Sequence, residues 1–476
     1  MRAKTDQSLE RMFHPASIAI IGASADAPET GWVGRLLNFG YKGNIFPVNP
    51  KVNSILGLKT YSSIGEISYP VEYAILNIPA RFTPYVMRDC VAKGVKFVHC
   101  YAAGFSETGT EAGKQLEAEI TKIAKQGGIR LLGPNCMGIY SPRSGMTFDE
   151  DFPKEKGGVA FISQSGAEAS RLVFLCQDVD LYFNKVVSYG NAADLDATDF
   201  LEYVTQDAGT KIVAIYVEGV NNGPRFFTAA GKCVEKKPLV IVKAGLTENG
   251  AGAAISHTAS MTGVKTVWDA FFKQTGAIPA QTMDEVADIV QGLMRVKKPR
   301  GRRVAIIGRG GGIGVVATDI CERAGLQVPP FSAETRRRLL QVIPEAGAGV
   351  RNPVEPKIGM EGATEFYLKG LPIVDADSET DIILIHMAID VYGGHTPELT
   401  QNITESTYAL CAAVDSLNKP IVVALFTGGH SDTIEAVRAA RKILTAAGIA
   451  VYSGVEAASR VLSKICHYYR FLEKVD

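Results

Sequence analysis

Short runs of β-branched and other apolar residues recur along the chain, and each is followed by a glycine-bearing turn and an amphipathic stretch. Continuous apolar runs of this length are typical of strands that are buried on both faces, as in parallel sheets covered by helices. Regular alternation of such strands with helices predicts doubly wound α/β domains. The runs are Ser17–Ile21, Tyr73–Ile78, Phe97–Tyr101, Val159–Ile162, Ile212–Val217, Leu239–Val242, Val304–Ile307, Ile382–His386 and Ile421–Phe426.

The alternation divides the 476 residues into three blocks that each open with a strand and a glycine-rich turn. We predict domains at residues 1–143, 144–297 and 298–476. A polar stretch, residues 149–157, precedes the second set of strands, and a basic run, residues 297–303, precedes the third. We interpret the basic run as a solvated linker, because Lys+Arg and Asp+Glu both number 50 and the net charge is 0.

Composition excludes several classes of protein. The balanced charge argues against a protein that binds nucleic acid or an acidic membrane surface. No apolar run approaches the roughly 18 residues of a membrane span, and residues 1–15 lack the apolar core of a signal peptide. The 8 cysteines form no CxxC pair, which argues against a zinc ribbon or a disulfide framework. We therefore expect a cytoplasmic protein with neither a nucleic-acid nor a membrane partner.

Strand-end turns in the first block suit a ligand that carries phosphate. The first strand ends at Gly22-Ala23-Ser24, and a glycine turn before a helix offers backbone N–H groups and a positive helix end. The spacing is not GxGxxG, so a nicotinamide cofactor is only weakly indicated. Lys51 follows another strand end and has the charge to meet a phosphate, although a surface lysine without a role is the alternative. Turns at residues 47–51, 77–80, 102–105 and 133–138 are expected to converge at the same edge.

The second and third blocks repeat this arrangement. Ser165-Gly166 and Gly311-Gly312 each stand between an apolar run and a helical pattern, so both helix starts favour an anion. A nucleophilic serine is disfavoured because the first of these turns is not GxSxG. Three histidines of the third block do not have the HExxH spacing, and we predict no metal site. They are His386, His395 and His430.

His257 lies among small residues, with glycines at 245, 250, 252 and 263 around it. Such a segment predicts a mobile loop that can bring the imidazole to another surface. A neutral imidazole is a good nucleophile and phosphate carrier. Glu218, directly after the run Ile212–Val217, is the carboxylate that would orient the ring. A loop histidine and a solvated acid without roles remain the alternatives for these two residues.

Together, these motifs resemble the α subunit of ADP-forming acyl-CoA synthetases, which are relatives of succinyl-CoA synthetase. The resemblance covers nearly the whole chain, and it depends on the order and spacing of the motifs rather than on any one of them. The matching pieces are Ile20–Ser24, Val48–Lys51, Gly133–Cys136, Ser163–Gly166, Val187–Asn191, Asp199–Tyr203, Glu218-Gly219 and Ser256–Thr258.

The resemblance implies a Rossmann-like CoA-binding domain followed by two flavodoxin-like domains. It also implies that His257 is phosphorylated, that Glu218 holds it, and that the helices starting at Ser165-Gly166 and Gly311-Gly312 cradle the phosphate. CoA is expected to contact Gly22, Ala23, Ser24, Val48, Lys51, Ile78, Pro79, Ala103, Gly104, Phe105 and Asn135.

Five positions depart from the family pattern. Ala244 and Leu246 stand in place of the serine and the arginine of a lysine–serine–glycine–arginine start to the histidine loop, and Ala259 stands in place of a glycine after the His-Thr pair. Ile313 replaces a proline in the third glycine run, and Glu355 replaces the aspartate of an Asn-Pro-Val-Asp motif.

The reaction implied by the resemblance converts acyl-CoA, ADP and phosphate into a small carboxylic acid, CoA and ATP through an acyl phosphate and a phosphohistidine. The chain has no GxxxxGK[ST] loop and ends at Asp476 without an ATP-grasp pattern. We therefore expect ADP or ATP and Mg²⁺ on a separate ATP-grasp β subunit in an α₂β₂-type assembly. Two alternatives remain open: a catalytically inactive CoA-binding regulatory protein, and a CoA transferase.

Overall fold

The computed structural model describes residues 9–252, 263–343, 349–356, 360–388, 397–426 and 433–475. The chain forms two compact units, Met1–Val286 and Ala287–Asp476. The first unit contains two large sheets and the second contains one. Most strands are parallel and are connected through helices, so the predicted α/β class is confirmed. The boundaries of the three predicted domains stay a prediction.

The first sheet has five parallel strands in the order β2-β1-β3-β4-β5. Because the order reverses beside β1, the carboxyl ends of β1 and β3 form the switch point at which open α/β sheets bind ligands. The strands are β1 (Ser17–Ile21), β2 (Asn44–Val48), β3 (Tyr73–Leu76), β4 (Phe97–Cys100) and β5 (Arg130–Leu132). The helices are α1 (Trp32–Phe39), α2 (Thr83–Lys93) and α3 (Glu111–Gly127). A small hairpin pairs Ser54–Ile55 with Leu58–Lys59.

The second sheet has six strands in the order β11-β10-β9-β7-β8-β6, and β6 is antiparallel to β8. Its parallel strands repeat the order of the first sheet, with β7 at the switch point. The strands are β6 (Gly138–Tyr140), β7 (Val159–Ser163), β8 (Phe183–Ser188), β9 (Ile212–Val217), β10 (Leu239–Lys243) and β11 (Ile278–Ala280). The helices are α4 (Gly166–Gln177), α5 (Ala197–Gln206), α6 (Gly223–Val234), α7 (Lys265–Thr275) and α8 (Met283–Arg295).

The third sheet, in the second unit, has the order β13-β14-β12-β15-β16-β17, and its edge pair β13–β14 is antiparallel. The strands are β12 (Val304–Gly308), β13 (Gly349–Val350), β14 (Val354–Glu355), β15 (Ile382–Ala388), β16 (Ile421–Phe426) and β17 (Ala450–Tyr452). The helices are α9 (Gly311–Arg323), α10 (Ala333–Val342), α11 (Met360–Lys369), α12 (Leu371–Asp375), α13 (Pro397–Val414), α14 (Ile434–Ala446) and α15 (Val455–Val475). The prediction of purely parallel sheets was therefore wrong at β6 and at β13–β14, where short edge strands turn back.

Side chains at helix starts explain where several helices begin. The Thr110 hydroxyl accepts the N–H of Gly113 at 3.1 Å at the start of α3. At α5, Asp196 and Asp199 form a capping box, in which each side chain accepts a backbone N–H of the other residue. No helix in the part of the chain that the structure describes is long and apolar enough to cross a membrane.

Polar contacts join the two sheets of the first unit. Arg130 on β5 donates to Asp194 at 2.9 Å, and Asp194 also accepts the N–H of Leu131 at 2.8 Å. Gly190, after β8, has φ +57°, and a side chain there would overlap the carbonyl groups of Pro134 and Asn135. Only glycine allows this close approach, so the loop after β8 is packed against the segment that leaves β5.

Candidate active site

The turn after β1 brings two strand ends into contact. Gly22 has φ +82°, and a side chain there would overlap the carbonyl oxygen of Asn77, directly after β3. The N–H groups of Gly22 and Ala23 donate to the carbonyl oxygen of Val48 at 3.1 and 3.3 Å. These two amides are therefore used within the chain, although the glycine turn was expected to offer them to a phosphate.

The exposed groups at this edge lie on the turns after β1 and β2. The Ser24 hydroxyl is exposed and donates to the carbonyl of Asp26 at 2.7 Å. Lys51 is also exposed, and its N–H donates to Asn49 Oδ1 at 2.8 Å. Asn49 Nδ2 in turn donates to the carbonyl of Ala23 at 2.8 Å, which fastens one turn to the other. The ammonium of Lys51 thus extends into solvent from a braced turn.

The loop after β4 uses its amides internally as well. Glu107 accepts the N–H of Gly104 at 2.5 Å and the N–H of Phe105 at 3.1 Å, and the side-chain amide of Asn191 donates to it at 2.6 Å. Partial burial acts to raise the pKa of Glu107, but these hydrogen bonds outweigh it and the pKa is lowered. The loop is therefore held by an ionised carboxylate of its own and is joined through Asn191 to the second sheet.

The other predicted CoA residues follow the same row of strand ends. Ile78 lies 2.8 Å from the position that a Gly22 side chain would take, and the N–H of Asn135 donates to Ala102 at 3.0 Å. The structure thus aligns the predicted residues along one edge of the first sheet, with different exposure. Val48 and Phe105 are buried, Gly22, Ile78, Gly104 and Asn135 are half-buried, and Ser24, Lys51, Pro79 and Ala103 are exposed.

The second predicted anion site is the start of α4. The hydroxyl of Ser165 accepts the N–H of Glu168 at 3.4 Å, and the Ser163 hydroxyl donates to the carbonyl of Ser165 at 2.6 Å. The first amides of a helix have no acceptor within the helix, so they point at whatever lies before it. A side chain at Gly166 would overlap Met137, which reaches this point from the segment between the first two sheets. The absence of a side chain at Gly166 therefore allows Met137 to pack against this helix start.

Glu218 lies beside that helix start. It follows β9, which pairs in parallel with β7, and it is 4% exposed. The side-chain oxygen of Gln164 accepts the N–H of Glu218 at 2.8 Å and that of Gly219 at 3.2 Å. The hydroxyl of Tyr216 donates to Glu218 Oε1 at 3.3 Å. The acid predicted from its place after a strand is thus buried next to the predicted phosphate cradle.

A buried lysine completes this group. Lys243 ends β10 and is 6% exposed, and its Nζ donates to the carbonyl of Glu218 at 2.7 Å and to the carbonyl of Ala244. The ammonium also lies 5.5 Å from the centre of the Trp268 ring. Burial lowers the pKa of Lys243 to about 8, and the nearby Glu218 opposes that fall.

The third predicted anion site, at the start of α9, already holds a carboxylate. The N–H of Gly310, which has φ +97°, donates to Glu355 Oε1 at 3.1 Å. The other oxygen of Glu355 lies 2.9 Å from the position that a Gly311 side chain would take. Gly311 and Gly312 are exposed and Ile313 is half-buried. The glutamate that departs from the family pattern therefore lies at the predicted phosphate cradle.

His257, the predicted phosphate carrier, lies outside the described residues, as does Ala259. Leu246, another departure, is half-buried. Among the residues with described positions, no group of three His, Cys, Asp or Glu side chains could hold a metal ion. His395 and His430 also fall outside that part of the chain.

Sequence reasoning assigned no role to Gln164, Tyr216 or Lys243. Gln164 stands inside the recognised Ser163–Gly166 motif, and Lys243 directly follows a predicted strand. The positions of Gln164 and Lys243 at strand ends were the signal that the sequence offered. Only the fold shows that these two residues contact the backbone of Glu218.

The fold and this site define a protein with a CoA-binding domain followed by a ligase-type flavodoxin domain. Residues 16–142 match the CoA binding domain family, and residues 156–293 match the succinyl-CoA ligase like flavodoxin domain family. Among curated proteins, the α subunit of ADP-forming acetate–CoA ligase II from Pyrococcus furiosus is 36% identical, over 94% of this chain and 95% of that protein. The chain belongs to the family of ADP-forming acyl-CoA synthetases, which are acid–thiol ligases, and it is of the α-subunit type.

Two further comparisons agree. ADP-forming acetate–CoA ligase I from Archaeoglobus fulgidus is 35% identical over 98% of this chain, but the matched region is only 64% of that longer protein. The structure of acetyl-coenzyme A synthetase 1 from Candidatus Korarchaeum cryptofilum, in complex with phosphate and ADP, superposes with a TM-score of 0.84 at 30% identity and covers 98% of each chain. The predicted fold and family are confirmed.

Proposed function

We propose that this chain is the α subunit of an enzyme that interconverts acyl-CoA, ADP and phosphate with a small carboxylic acid, CoA and ATP. The observation that carries the proposal is the placement of Glu218, which is buried at the end of β9 and bonded through its backbone to Gln164 beside the start of α4. A buried acid next to a helix N-terminus suits the handling of a phosphoryl group by an imidazole.

The chemistry we propose divides into three reversible steps. Inorganic phosphate displaces CoA from the thioester, which forms an acyl phosphate and the free thiol. His257 then takes the phosphoryl group and releases the carboxylic acid. ADP finally accepts the phosphoryl group from phospho-His257 to form ATP. A covalent intermediate replaces one difficult transfer by positioned in-line steps.

In this scheme Glu218 accepts a hydrogen bond from one ring nitrogen of His257, which fixes the tautomer and leaves the other nitrogen as the nucleophile. The first amides of α4, from Gly166 onward, stabilise the charge on the phosphoryl group. The start of α9, at Gly311 and Gly312, is proposed as a second cradle. For that role, either the Glu355 carboxylate gives up its hydrogen bond from the N–H of Gly310, or the phosphoryl group binds beside that carboxylate.

CoA is proposed to bind along the carboxyl edge of the first sheet. The fit rests on the exposed charge of Lys51 and the exposed hydroxyl of Ser24, together with the half-buried surface at Ile78. Since the amides of Gly22, Ala23, Gly104 and Phe105 are engaged within the chain, we assign phosphate contacts to side chains rather than to these amides.

The nucleotide site is proposed to belong to an ATP-grasp partner that binds ADP or ATP and Mg²⁺, in an α₂β₂-type assembly. The support is that the Pyrococcus relative is itself an α subunit and that this chain lacks a GxxxxGK[ST] loop. Relatives such as the longer Archaeoglobus protein contain additional sequence, so the partner could equally be joined to the same polypeptide. The cytoplasm is the proposed location, because all 8 cysteines are free thiols.

The decisive experiment is to incubate the chain with its ATP-grasp partner, Mg²⁺ and ATP labelled in the γ-phosphate. We expect a label on this chain that is lost in acid and stable in base, as a phosphohistidine is. The variant His257→Asn should take up no label, while a substitution of the surface histidine His467→Asn should leave the label unchanged. Label retained in His257→Asn, or none in the wild type, would contradict the proposal.

A further inference from the structure

The surroundings of Lys243 are unusual for a lysine. It is 6% exposed, its ammonium donates to two backbone carbonyl groups and lies over the face of Trp268, and the Glu218 carboxylate is near enough to interact with its charge. Moving an ammonium group out of water destabilises the folded protein unless its N–H groups find acceptors and its charge finds a partner.

The three residues that the Lys243 ammonium contacts are the proposed orienting acid and one residue on each side of the segment that contains His257. Glu218 is the first residue after β9, and Ala244 is the first residue after β10. Trp268 belongs to α7, the first helix after residues 253–262, which include His257. The ammonium therefore contacts the proposed orienting acid and also the chain on both sides of the segment that contains the proposed phosphate carrier.

Glu218 is in fact held from both neighbouring strands. On one side Gln164, at the end of β7, accepts the N–H of Glu218 at 2.8 Å. On the other side Lys243, at the end of β10, donates to the carbonyl of the same residue at 2.7 Å. The backbone N–H and the backbone carbonyl of Glu218 are thereby both engaged by buried side chains, which leaves its backbone little freedom to move.

We propose that Lys243 is a positioning residue for the phosphohistidine steps. It fixes the backbone of Glu218 and contacts Ala244 and Trp268, so that the acid is held in place for its proposed hydrogen bond to the imidazole. The inference rests on the proposed function and adds to it a residue that acts through Glu218 rather than on the substrate.

The test compares phosphohistidine formation from labelled ATP in the complex of this chain with its ATP-grasp partner. Lys243→Met keeps the length of the side chain and removes the charge and the donors. We expect the rate of labelling to fall by roughly 10- to 100-fold, because a misplacement of about 1 Å can cost that much. Lys243→Arg, which retains charge and donors, should recover part of the rate, and CoA affinity should be unchanged in both variants.

Lys237 provides a matched control. It is a half-buried lysine that also donates to two backbone carbonyls, those of Val204 at 2.8 Å and of Asp207, but at residues remote from Glu218. Lys237→Met should lower the melting temperature without slowing labelling of the folded protein. An equal loss of labelling rate in both methionine variants would reject a positioning role for Lys243.

A double variant separates positioning from general stability. If Lys243 acts through Glu218, its substitution in a Glu218→Gln background should add much less than the loss that it causes alone. Strictly multiplicative losses, or a wild-type rate in Lys243→Met, would overturn the inference. Should Lys243→Met fail to fold, Lys243→Gln gives the same comparison. Labelling of the wild type that is lost in His257→Asn but not in Lys243→Met would leave the proposed function intact and reject only this inference.

Discussion

The side-chain oxygen of Gln164 accepts the N–H of Glu218 at 2.8 Å, and Gln164 is itself only 3% exposed. A residue of the turn that precedes α4 is thus bonded to the residue that directly follows β9. Two sites that the sequence presents 54 positions apart are thereby parts of one buried network. The predicted phosphate cradle and the predicted orienting acid cannot shift independently of each other.

Replacing Gln164 tests this connection. Gln164→Leu removes the acceptor of the N–H of buried Glu218 and of half-buried Gly219, and an unsatisfied buried group costs about 1–3 kcal/mol. We expect a lower melting temperature together with slower phosphohistidine formation in the protein that remains folded. Gln177→Leu, at the exposed far end of α4, is the control and should change neither quantity. Labelling at the wild-type rate in Gln164→Leu would show that the network does not serve the reaction.

Glu218→Gln tests the acid itself. Glutamine keeps the size of the side chain and an acceptor for the Tyr216 hydroxyl, which lies 3.3 Å from Glu218 Oε1, but it loses the charge. Turnover should fall by roughly 10²-fold or more, in line with the contribution of a positioned acid–base partner. Glu202→Gln, at an exposed acid of α5 that pairs with Arg225, should leave turnover unchanged. Normal labelling of Glu218→Gln would exclude an orienting role.

The close approach of Met137 to Gly166 predicts the behaviour of a single and a double variant. Gly166→Ala places a methyl group where Met137 now lies, so the start of α4 or the Met137 side chain has to move. We expect the KM for phosphate to rise several-fold, and the double variant with Met137→Ala to recover most of that loss. Gly231→Ala, in a helix where an added methyl group meets nothing within 4 Å, is the matched control. A double variant as impaired as Gly166→Ala would show that crowding by Met137 is not the cause.

CoA binding is tested at Lys51, which follows β2, against Lys42, which precedes the same strand at the opposite edge. Both lysines are exposed. Lys51→Glu should weaken CoA binding about 10-fold or more, since a charge-assisted contact contributes about 1.5–3 kcal/mol, and the effect should shrink at high salt. Lys42→Glu should bind CoA normally, and labelling from ATP should be normal in both. Calorimetry that finds equal CoA affinity in the two variants would place CoA elsewhere.

How far the sequence predicts the fold depends on how local the stabilising contacts are. Strands such as β9 and β12 were predicted because continuous apolar runs reveal them. Strand β8 was missed because Asn184 and Lys185 interrupt the run. Lys185 is nevertheless 2% exposed, since Asp207 lies 2.9 Å from its ammonium and the Tyr203 ring is 5.4 Å away. Partners supplied from elsewhere in the chain cannot be read from the strand alone.

The same limit applies to β2 and to the site. Strand β2 was indicated only by the turn expected after it and not as an apolar run, because Pro47 argues against a strand; β2 is at the edge of its sheet, where proline is tolerated. Glu218 was predictable because an acid directly after a buried strand lies at the ligand edge of a sheet. The hydrogen bond from the N–H of Gly104 to Glu107 was not predictable, because a glycine turn indicates only that its amides can be free. The sequence does not say which acceptor in the chain those amides meet.

The buried histidine of β15 predicts an acid sensitivity that a substitution should remove. His386 is 3% exposed, and neither ring nitrogen has a hydrogen-bond partner within the described part of the chain. Burial lowers the pKa of His386 to about 4, whereas an unfolded histidine has a pKa near 6.5. As the pH falls from about 6.5 to about 4, the unfolded chain takes up the proton first, so the folded state loses stability across that window.

His386→Leu should abolish this loss and raise the melting temperature of the second unit at pH 5. The melting temperature at pH 7.5 should be equal or higher, because the substitution removes two buried polar atoms that have no hydrogen-bond partner among the described residues. His99 is the control. Burial also lowers the pKa of His99 to about 4, but its Nε2 lies 3.1 Å from the carbonyl oxygen of Cys136. His99→Leu leaves that carbonyl unsatisfied and should destabilise the first unit at pH 7.5. Calorimetry that shows the same acid dependence in His386→Leu as in the wild type would assign the sensitivity to another group.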